Sequence, residues 1–176
     1  MKVKLHIGMR KIKSVLALFI SFVFWQGIRI FFPVLETHPI FAYVYSIIEM
    51  RESAEKTRDA GKFRLLATAI GLVVGLVFVF FSVLVNTLLD KEMVCAFLEL
   101  LFIMAAALCA LVVAEISGCK EFCGAAAIIS VICMVSHDEG SVLLYAIMRA
   151  LQTVIGVLAA ILVNQIGRKR ETQETQ

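Results

Sequence analysis

The stretch LLATAIGLVVGLVFVFFSVLVNTLL, residues 65–89, contains no charged side chain and decides the fold class. A helix needs about 20 apolar residues to cross a hydrocarbon core of about 30 Å. Residues 14–32, 94–116 and 142–166 form three further runs of sufficient length. The apolar residues are continuous, without a period of two or of seven, which indicates helices surrounded by lipid. Four membrane spans therefore follow from run length alone.

The overall composition leads to the same class of protein. Of the 176 residues, 61% are hydrophobic and 18% are charged, and the mean hydropathy is +0.93. A soluble domain of this size has too little interior for so many apolar side chains. Strands with open edges cannot satisfy their backbone groups in lipid. The composition therefore predicts an all-α integral membrane protein with the lipid bilayer as a partner.

Other classes of function find no support in the sequence. The basic residues lie between the apolar runs and form no aromatic base-stacking surface, so we expect no nucleic-acid partner. There is no nucleophile–base–acid arrangement, phosphate-binding loop or metal-ligand cluster. We therefore predict that the protein is not an enzyme and has no cofactor and no metal site.

Two apolar segments are shorter than a membrane span. Residues 39–50 and 124–135 would each give a helix of about 18 Å. Either their polar flanks lie at membrane depth inside a protein-lined cavity, or these two helices are broken or re-entrant. Including them gives six transmembrane helices, of which the second and fifth are short.

The distribution of Lys and Arg predicts the orientation. Basic residues are concentrated in the N-terminal segment 1–13, in the segment 51–64 (interpreted as a loop) and in the polar tail 167–176. The loops on the other side carry only Lys91. By the positive-inside rule, both termini are cytoplasmic in a multi-pass protein of the plasma (inner) membrane.

The sequence also repeats itself. The motif Arg-x3-Thr-x2-Gly, which begins at Arg64, recurs at Arg149, and the same offset of 85 residues superimposes the two short segments. Because each copy has three helices, an odd number, the second copy must enter the membrane from the opposite face. The predicted fold is thus two inverted three-helix repeats, residues 14–89 and 94–166, a plan found in many secondary transporters.

The repeated motif supplies the candidate substrate-binding residues. Residues spaced by four and then three share one helix face, so Arg64 lies beside Thr68 and Arg149 beside Thr153. We interpret each arginine as a cation near a helix N-terminus, where the helix dipole is also positive and attracts anions. The alternative is that Arg64 is only a basic loop residue and that the small residues serve ordinary helix packing.

Ionisable residues inside membrane spans are costly and often functional. Arg149 lies within the sixth span, where a charge costs on the order of 3 kcal/mol unless it faces water or a partner. Besides a functional role, Arg149 could form a structural ion pair, or its side chain could extend along the helix to the membrane surface (snorkelling). Four more residues are possible pathway or coupling groups, although their positions near span ends also fit an interfacial role: Arg29, Glu49, Glu99 and Glu115.

Several of these motifs resemble the aromatic acid exporter (fusaric acid resistance-like) family. The resemblance extends from about residue 8 to residue 164 and covers the membrane domain only. Its elements are Gly8-x-Arg10-x2-Lys13-Ser14-x2-Ala17, Pro39 before the short second span, Arg64-x6-Gly71, and the closing run Arg149-x3-Thr153-x2-Gly156-x3-Ala160-x3-Asn164.

The resemblance implies an anion pathway lined by basic residues. Members of the family are thought to export aromatic carboxylates, and related plant proteins are dimeric anion channels with six spans per subunit. We therefore expect a homodimeric transporter or channel subunit for small organic anions. The alternative is a membrane adaptor or assembly protein that transports nothing and whose arginines only form ion pairs.

Overall fold

The computed structural model describes residues 9–32, 38–88, 92–135 and 142–173, and these residues are helical with short connections and no strand. The predicted loop residue Lys91, residues 1–8 of the N-terminal segment, and residues 174–176 of the tail lie outside this range. The helices are α1 (Met9–Phe31), α2 (Ile40–Ile48), α3 (Ala54–Leu88), α4 (Glu92–Ile116), α5 (Cys123–Val135) and α6 (Val142–Gln173), with a 3-10 turn at Lys120–Phe122 before α5.

Four helices are long and apolar enough to cross a membrane. They are α1, α3, most of α4 (Met93–Ile116) and the central part of α6 (Ala146–Ile166). The four long runs predicted from the sequence are therefore confirmed as helices, and the chain has the character of a membrane protein. By contrast, α2 has 9 residues and α5 has 13. These lengths correspond to about 14 Å and 20 Å, less than a hydrocarbon core.

The basic segment 51–64 is largely helical, so its interpretation as a loop is wrong. Ser53 precedes α3, and its hydroxyl accepts a hydrogen bond from the Lys56 backbone N–H at 3.2 Å, as an N-cap residue does. Alanine, glutamate, lysine and arginine after it are good helix formers despite their charge. With 35 residues, α3 extends for about 52 Å, well beyond the thickness of the hydrocarbon core.

The chain packs into two compact units that do not coincide with its two sequence halves. The first unit combines residues up to 62 with residues from 151 onward, and the second contains residues 63–150. In the first unit α6 therefore joins α1 and α2. In the second unit most of α3 joins α4 and α5. The third helix of each sequence half thus packs with the first two helices of the other half.

Much apolar surface remains uncovered by protein, as expected of helices in lipid. On α1 only one stripe is buried, formed by Ala17, Ser21 and Trp25 at a spacing of four residues. Large side chains on its other faces, including Phe19 and Phe24, are exposed. A soluble protein rarely exposes contiguous apolar surface of this extent.

The end of α4 has a well-defined stop. Gly118 has φ +82°, a left-handed conformation that costs other residues about 1–2 kcal/mol. Its N–H donates to the Glu115 carbonyl at 3.1 Å, and the Cys119 N–H donates to the Ala114 carbonyl at 2.9 Å. This pair of bonds is the Schellman motif, which satisfies the last helical carbonyls and turns the chain toward α5.

Candidate functional site

In the second unit, α3 lies against α5 through its glycines. A Cβ atom on Gly71 would collide with the carbonyl oxygen of Ala126. A Cβ atom on Gly75 would lie 2.8 Å from Cys133 Cβ and 3.1 Å from the Ser130 carbonyl oxygen. Residue numbers rise together on the two helices, so α3 and α5 run parallel. Only glycine permits this backbone approach.

The first unit contains the same kind of contact between α6 and α2. A Cβ atom on Gly156 would lie 2.6 Å from the Ala42 carbonyl oxygen and 2.9 Å from Tyr45 Cβ. Further along, Ala160 and Val163 share a buried cluster with Met50. These two helices also run parallel.

A pair of serines extends the correspondence between the two short helices. Ser46 on α2 donates to the Tyr43 carbonyl at 2.8 Å, and Ser130 on α5 donates to the Ala127 carbonyl at 2.9 Å. Both serines are completely buried. They are 84 residues apart, as are the two alanine carbonyls that face the glycines. These features of the short helices thus recur at a spacing of 84 residues, one less than the predicted offset of 85, which separates Gly71 from Gly156.

Arg64, the first predicted binding residue, is half-buried on α3. Its guanidinium carbon lies 4.8 Å from the centroid of the Phe122 ring, and Phe63 stacks on the same ring with centroids 6.5 Å apart. Phe122 itself is buried. Such a cation–π contact contributes about 0.5–2 kcal/mol and fixes the charge at the start of α5.

The proposed help from helix dipoles is wrong for both arginines. Helix α3 begins at Ala54 and α6 at Val142, so Arg64 and Arg149 both lie beyond the first turn. The dipole acts mainly within that first turn. Any attraction for an anion at these positions therefore comes from the guanidinium charge itself.

Arg149 and Arg64 are associated with opposite ends of α5. Arg149 is half-buried on α6 and close enough to Cys133 for its charge to act on the thiol. Arg64 contacts Phe122, eleven residues earlier. At 1.5 Å per residue, Phe122 and Cys133 are about 16 Å apart along the helix. The second unit therefore carries a cationic group near each end of its short helix.

The two threonines of the predicted site are both buried, but they differ in their surroundings. Thr68 donates its hydroxyl hydrogen to the carbonyl oxygen of Arg64 at 2.9 Å. A hydroxyl has one hydrogen, so Thr68 cannot donate to a carboxylate while it keeps this bond. Thr153 belongs to the first unit, whereas Arg64, Thr68 and Arg149 belong to the second.

The four possible pathway or coupling residues differ in how deeply their side chains are buried. Arg29 on α1 and Glu115 on α4 are exposed, which fits the interfacial alternative, and Glu99 is half-buried. Glu49 is completely buried at the end of α2, and its backbone N–H donates to the Tyr45 carbonyl at 3.0 Å. Of the three carboxyl groups among them, that of Glu49 is the most deeply buried.

A polar network in the first unit was not predicted from the sequence. Asn164 on α6 is 2% exposed, and its amide nitrogen donates to Thr57 Oγ1 at 2.8 Å and to the Arg51 carbonyl at 3.1 Å. Its amide oxygen accepts from Lys13 Nζ on α1 at 3.4 Å. One side chain thus connects α1, α3 and α6 to the segment between α2 and α3.

Thr57 completes this network. Its hydroxyl donates to the Ser53 carbonyl at 3.0 Å and accepts from the Arg51 backbone N–H at 3.1 Å and from Asn164. One donor and two acceptor positions are the full capacity of a hydroxyl group. The completely buried Thr57 is therefore satisfied, and it holds the chain between α2 and α3 in one conformation.

Arg10 reaches the same segment from α1, since its Nε donates to the Met50 carbonyl at 3.2 Å. Arg10, Lys13 and Asn164 all belong to the motifs that carry the family resemblance. That resemblance contained the signal for this network, but sequence spacing cannot show that residues 13 and 164 meet.

Cys119 lies just before α5 and Cys123 at its first residue. Both thiols are free, and burial raises the pKa of the Cys119 thiol above its ordinary value. The thiol therefore stays protonated at neutral pH, whereas metal ligation requires the thiolate. Within the described ranges, no group of three or more potential ligands could hold a metal ion.

Comparison with known proteins identifies no relative, because neither a family model nor a curated protein nor a solved structure matches this chain.

Proposed function

We propose that the chain is a subunit of a transporter or channel that moves small organic anions, aromatic carboxylates in particular, out of the cell. The observation that carries this proposal is the pair Arg64 and Arg149, two half-buried cations associated with opposite ends of α5. A basic residue at membrane depth costs about 2.5–3.5 kcal/mol, so such residues usually face a partner, water or an ion pathway.

Electrostatics favours an anion as the transported species. Two guanidinium groups along a helix of about 20 Å would raise the local concentration of anions over much of the bilayer thickness. The guanidinium group also matches the planar geometry of a carboxylate and stays charged at any physiological pH. Aromatic carboxylates are favoured because of the resemblance to the aromatic acid exporter family, and because Phe63 and Phe122 lie beside Arg64.

The proposed architecture is six membrane spans in two inverted three-helix repeats. The glycine-to-carbonyl contact and the buried serine recur in both units, which supports the repeat. In a six-span chain the third and fifth helices cross in the same direction, as do the second and sixth. The parallel packing of α3 with α5 and of α6 with α2 agrees with this requirement.

The proposed orientation has both termini in the cytoplasm of a plasma-membrane protein, as the positive-inside rule predicts. We also propose a homodimer, because two subunits could enclose a pathway that six short helices alone leave little room for. Chemical cross-linking in native membranes measures this oligomeric state directly.

Flux in proteoliposomes tests the proposed function. Liposomes that contain the purified protein should release benzoate faster than empty liposomes, with choline as the cation that is not transported. Arg149→Ala should abolish the flux, and Arg149→Lys should keep part of it because the charge remains. Lys62→Ala is the matched control, since Lys62 is exposed and pairs with Asp59 at 3.1 Å near the start of α3.

Two outcomes would count against transport. Unchanged benzoate flux in Arg149→Ala would remove the assigned role of this residue. Absence of benzoate and chloride flux in the unaltered protein, with size-exclusion chromatography showing a folded sample, would favour the membrane adaptor or assembly protein.

A further inference from the structure

Two basic side chains of α1 approach the segment between α2 and α3, Arg10 directly and Lys13 through Asn164, and this segment contains a third basic residue. Arg10 and Lys13 are three residues apart on α1 and therefore share a helix face. Arg10 reaches the Met50 carbonyl, and Lys13 reaches Asn164, which itself donates to the carbonyl of Arg51. Arg51 is the third basic residue. We call Arg10, Lys13 and Arg51 the basic cluster.

In the part of the chain that the structure describes, Arg10 and Lys13 donate hydrogen bonds to neutral protein groups. Arg10 donates to a backbone carbonyl at 3.2 Å, and Lys13 donates to an amide oxygen at the long distance of 3.4 Å. The Nε atom of Arg51 is buried and makes no hydrogen bond to the described part of the protein. Among the residues whose side chains the structure describes, no ion pair joins any of the three to a carboxylate.

Other basic residues nearby behave differently. Lys56 and Lys62 near the start of α3 are 70% and 62% exposed, and each has an acidic partner, Glu52 and Asp59 respectively. Exposed lysines need a counter-charge least, because water screens them. Lys13 and Arg51 are half-buried and depend more on a counter-charge, yet no described carboxylate lies within ion-pair distance (4.0 Å) of either.

We propose that the basic cluster binds an oxyanion, a carboxylate or phosphate group, from outside the chain. Lys13 and Arg51 are like charges in partly buried positions, with the exposed Arg10 beside them, and a bound anion would offset the cost of burying them. The ammonium of Lys13 has two further N–H groups, and both arginines have unused guanidinium N–H groups. Charge-assisted hydrogen bonds to oxygen anions are among the strongest that side chains make.

The surroundings of the basic cluster are already fixed before an anion arrives. Asn164 must direct its amide nitrogen toward the Arg51 carbonyl, so its oxygen necessarily faces Lys13. Thr57 holds the backbone of Arg51 by accepting its N–H. Binding would therefore require ordering of only the charged ends of three side chains, which keeps its entropic cost small.

The oxyanion could belong to a free organic acid or to the headgroup of an anionic lipid. The site uses none of the residues of the proposed pathway, and its test requires no transport. Failure of anion flux in proteoliposomes would therefore leave this proposal unaffected. Failure to detect anion binding at the basic cluster would likewise leave the transport proposal unaffected.

Thermal unfolding of the full chain with three probes tests the site. Benzoate and inorganic phosphate are titrated in neutral detergent micelles, each against chloride at equal ionic strength. Phosphatidylglycerol is titrated into phosphatidylcholine nanodiscs. At least one probe should raise the melting temperature of the unaltered protein. Stabilisation by benzoate or phosphate identifies a free anion, whereas stabilisation by phosphatidylglycerol alone identifies a headgroup.

The double variant Lys13→Gln with Arg51→Gln should shift the midpoint of that titration by roughly a hundredfold, about tenfold for each charge-assisted bond lost. Glutamine can still donate to Asn164, so the network is kept. The control is Lys56→Gln with Lys62→Gln, which removes the same charge and should leave the midpoint unchanged. If the double variant fails to fold, Arg51→Gln alone should shift the midpoint about tenfold. Equal midpoints in variant and control, or no stabilisation by any probe, would overturn the proposal.

Discussion

Replacing Gly156 by alanine adds one methyl group at the closest backbone contact of the first unit. The new Cβ would lie 2.6 Å from the Ala42 carbonyl oxygen and 2.9 Å from Tyr45 Cβ. Both distances are far below ordinary van der Waals contact, and the nearer atom is backbone that cannot rotate away. Overpacking of this kind costs about 1–3 kcal/mol, so Gly156→Ala should weaken the packing of α6 on α2.

Gly27→Ala is the matched control because no atom lies within 4 Å of its added Cβ. Alanine favours a helix over glycine by up to about 1 kcal/mol, and both positions are helical, so this gain cancels when the two variants are compared. The remaining difference is the collision itself. For a chain of this size it corresponds to a melting-temperature difference of about 2–12 °C, with Gly156→Ala the lower.

A thiol-reactive fluorescent dye can measure these melting temperatures without any added label. Cys119 and Cys133 are buried in the folded chain and become accessible to the dye on unfolding, whereas the exposed Cys109 reacts beforehand and gives a constant background. Equal melting temperatures for Gly156→Ala and Gly27→Ala would refute the close backbone contact between α6 and α2. A lower melting temperature for Gly27→Ala would refute the interpretation of its face as open.

Three further substitutions test individual interactions. Asn164→Ala leaves the Arg51 carbonyl without its donor and should lower the free energy of unfolding by about 2–4 kcal/mol, whereas Asn86→Ala on the exposed end of α3 should change it by less than about 0.5 kcal/mol. Gly118→Ala should cost about 1–2 kcal/mol because of its left-handed backbone, and Gly118→Asn should cost less, both measured by thermal unfolding. Phe122→Leu removes the aromatic ring beside the Arg64 guanidinium and should cost about 0.5–2 kcal/mol beyond the loss of apolar area; an additive double-mutant cycle with Arg64→Leu would contradict the contact.

The helices could be predicted from the sequence because each depends mainly on its own composition. The run 65–89 is too apolar and too long for water, whatever its neighbours are. The short lengths of α2 and α5 were likewise predicted from the short apolar runs 39–50 and 124–135. The start of α3 was missed because a charged segment was equated with a loop. Good helix formers and the N-cap Ser53 make residues 54–64 helical in spite of their charge.

The site was harder to predict because it depends on which helices pack together. Arg64 and Arg149 could be found as costly charges near long apolar runs. That Arg64 lies beside Phe122 at the start of α5 depends on the pairing of α3 with α5. The network at Asn164 joins residues more than a hundred positions apart. The spacing of residues in a single sequence cannot show that such distant positions are in contact.

The composition of the first unit affects the order in which the protein can assemble during synthesis. Its early helices, α1 and α2, leave the ribosome long before α6, which supplies Ala160 and Val163 to their shared cluster with Met50. The second unit is continuous in the chain and can form in between. Until the ribosome has translated α6, the surfaces of α1 and α2 that later contact it must be covered by lipid or by an insertion chaperone.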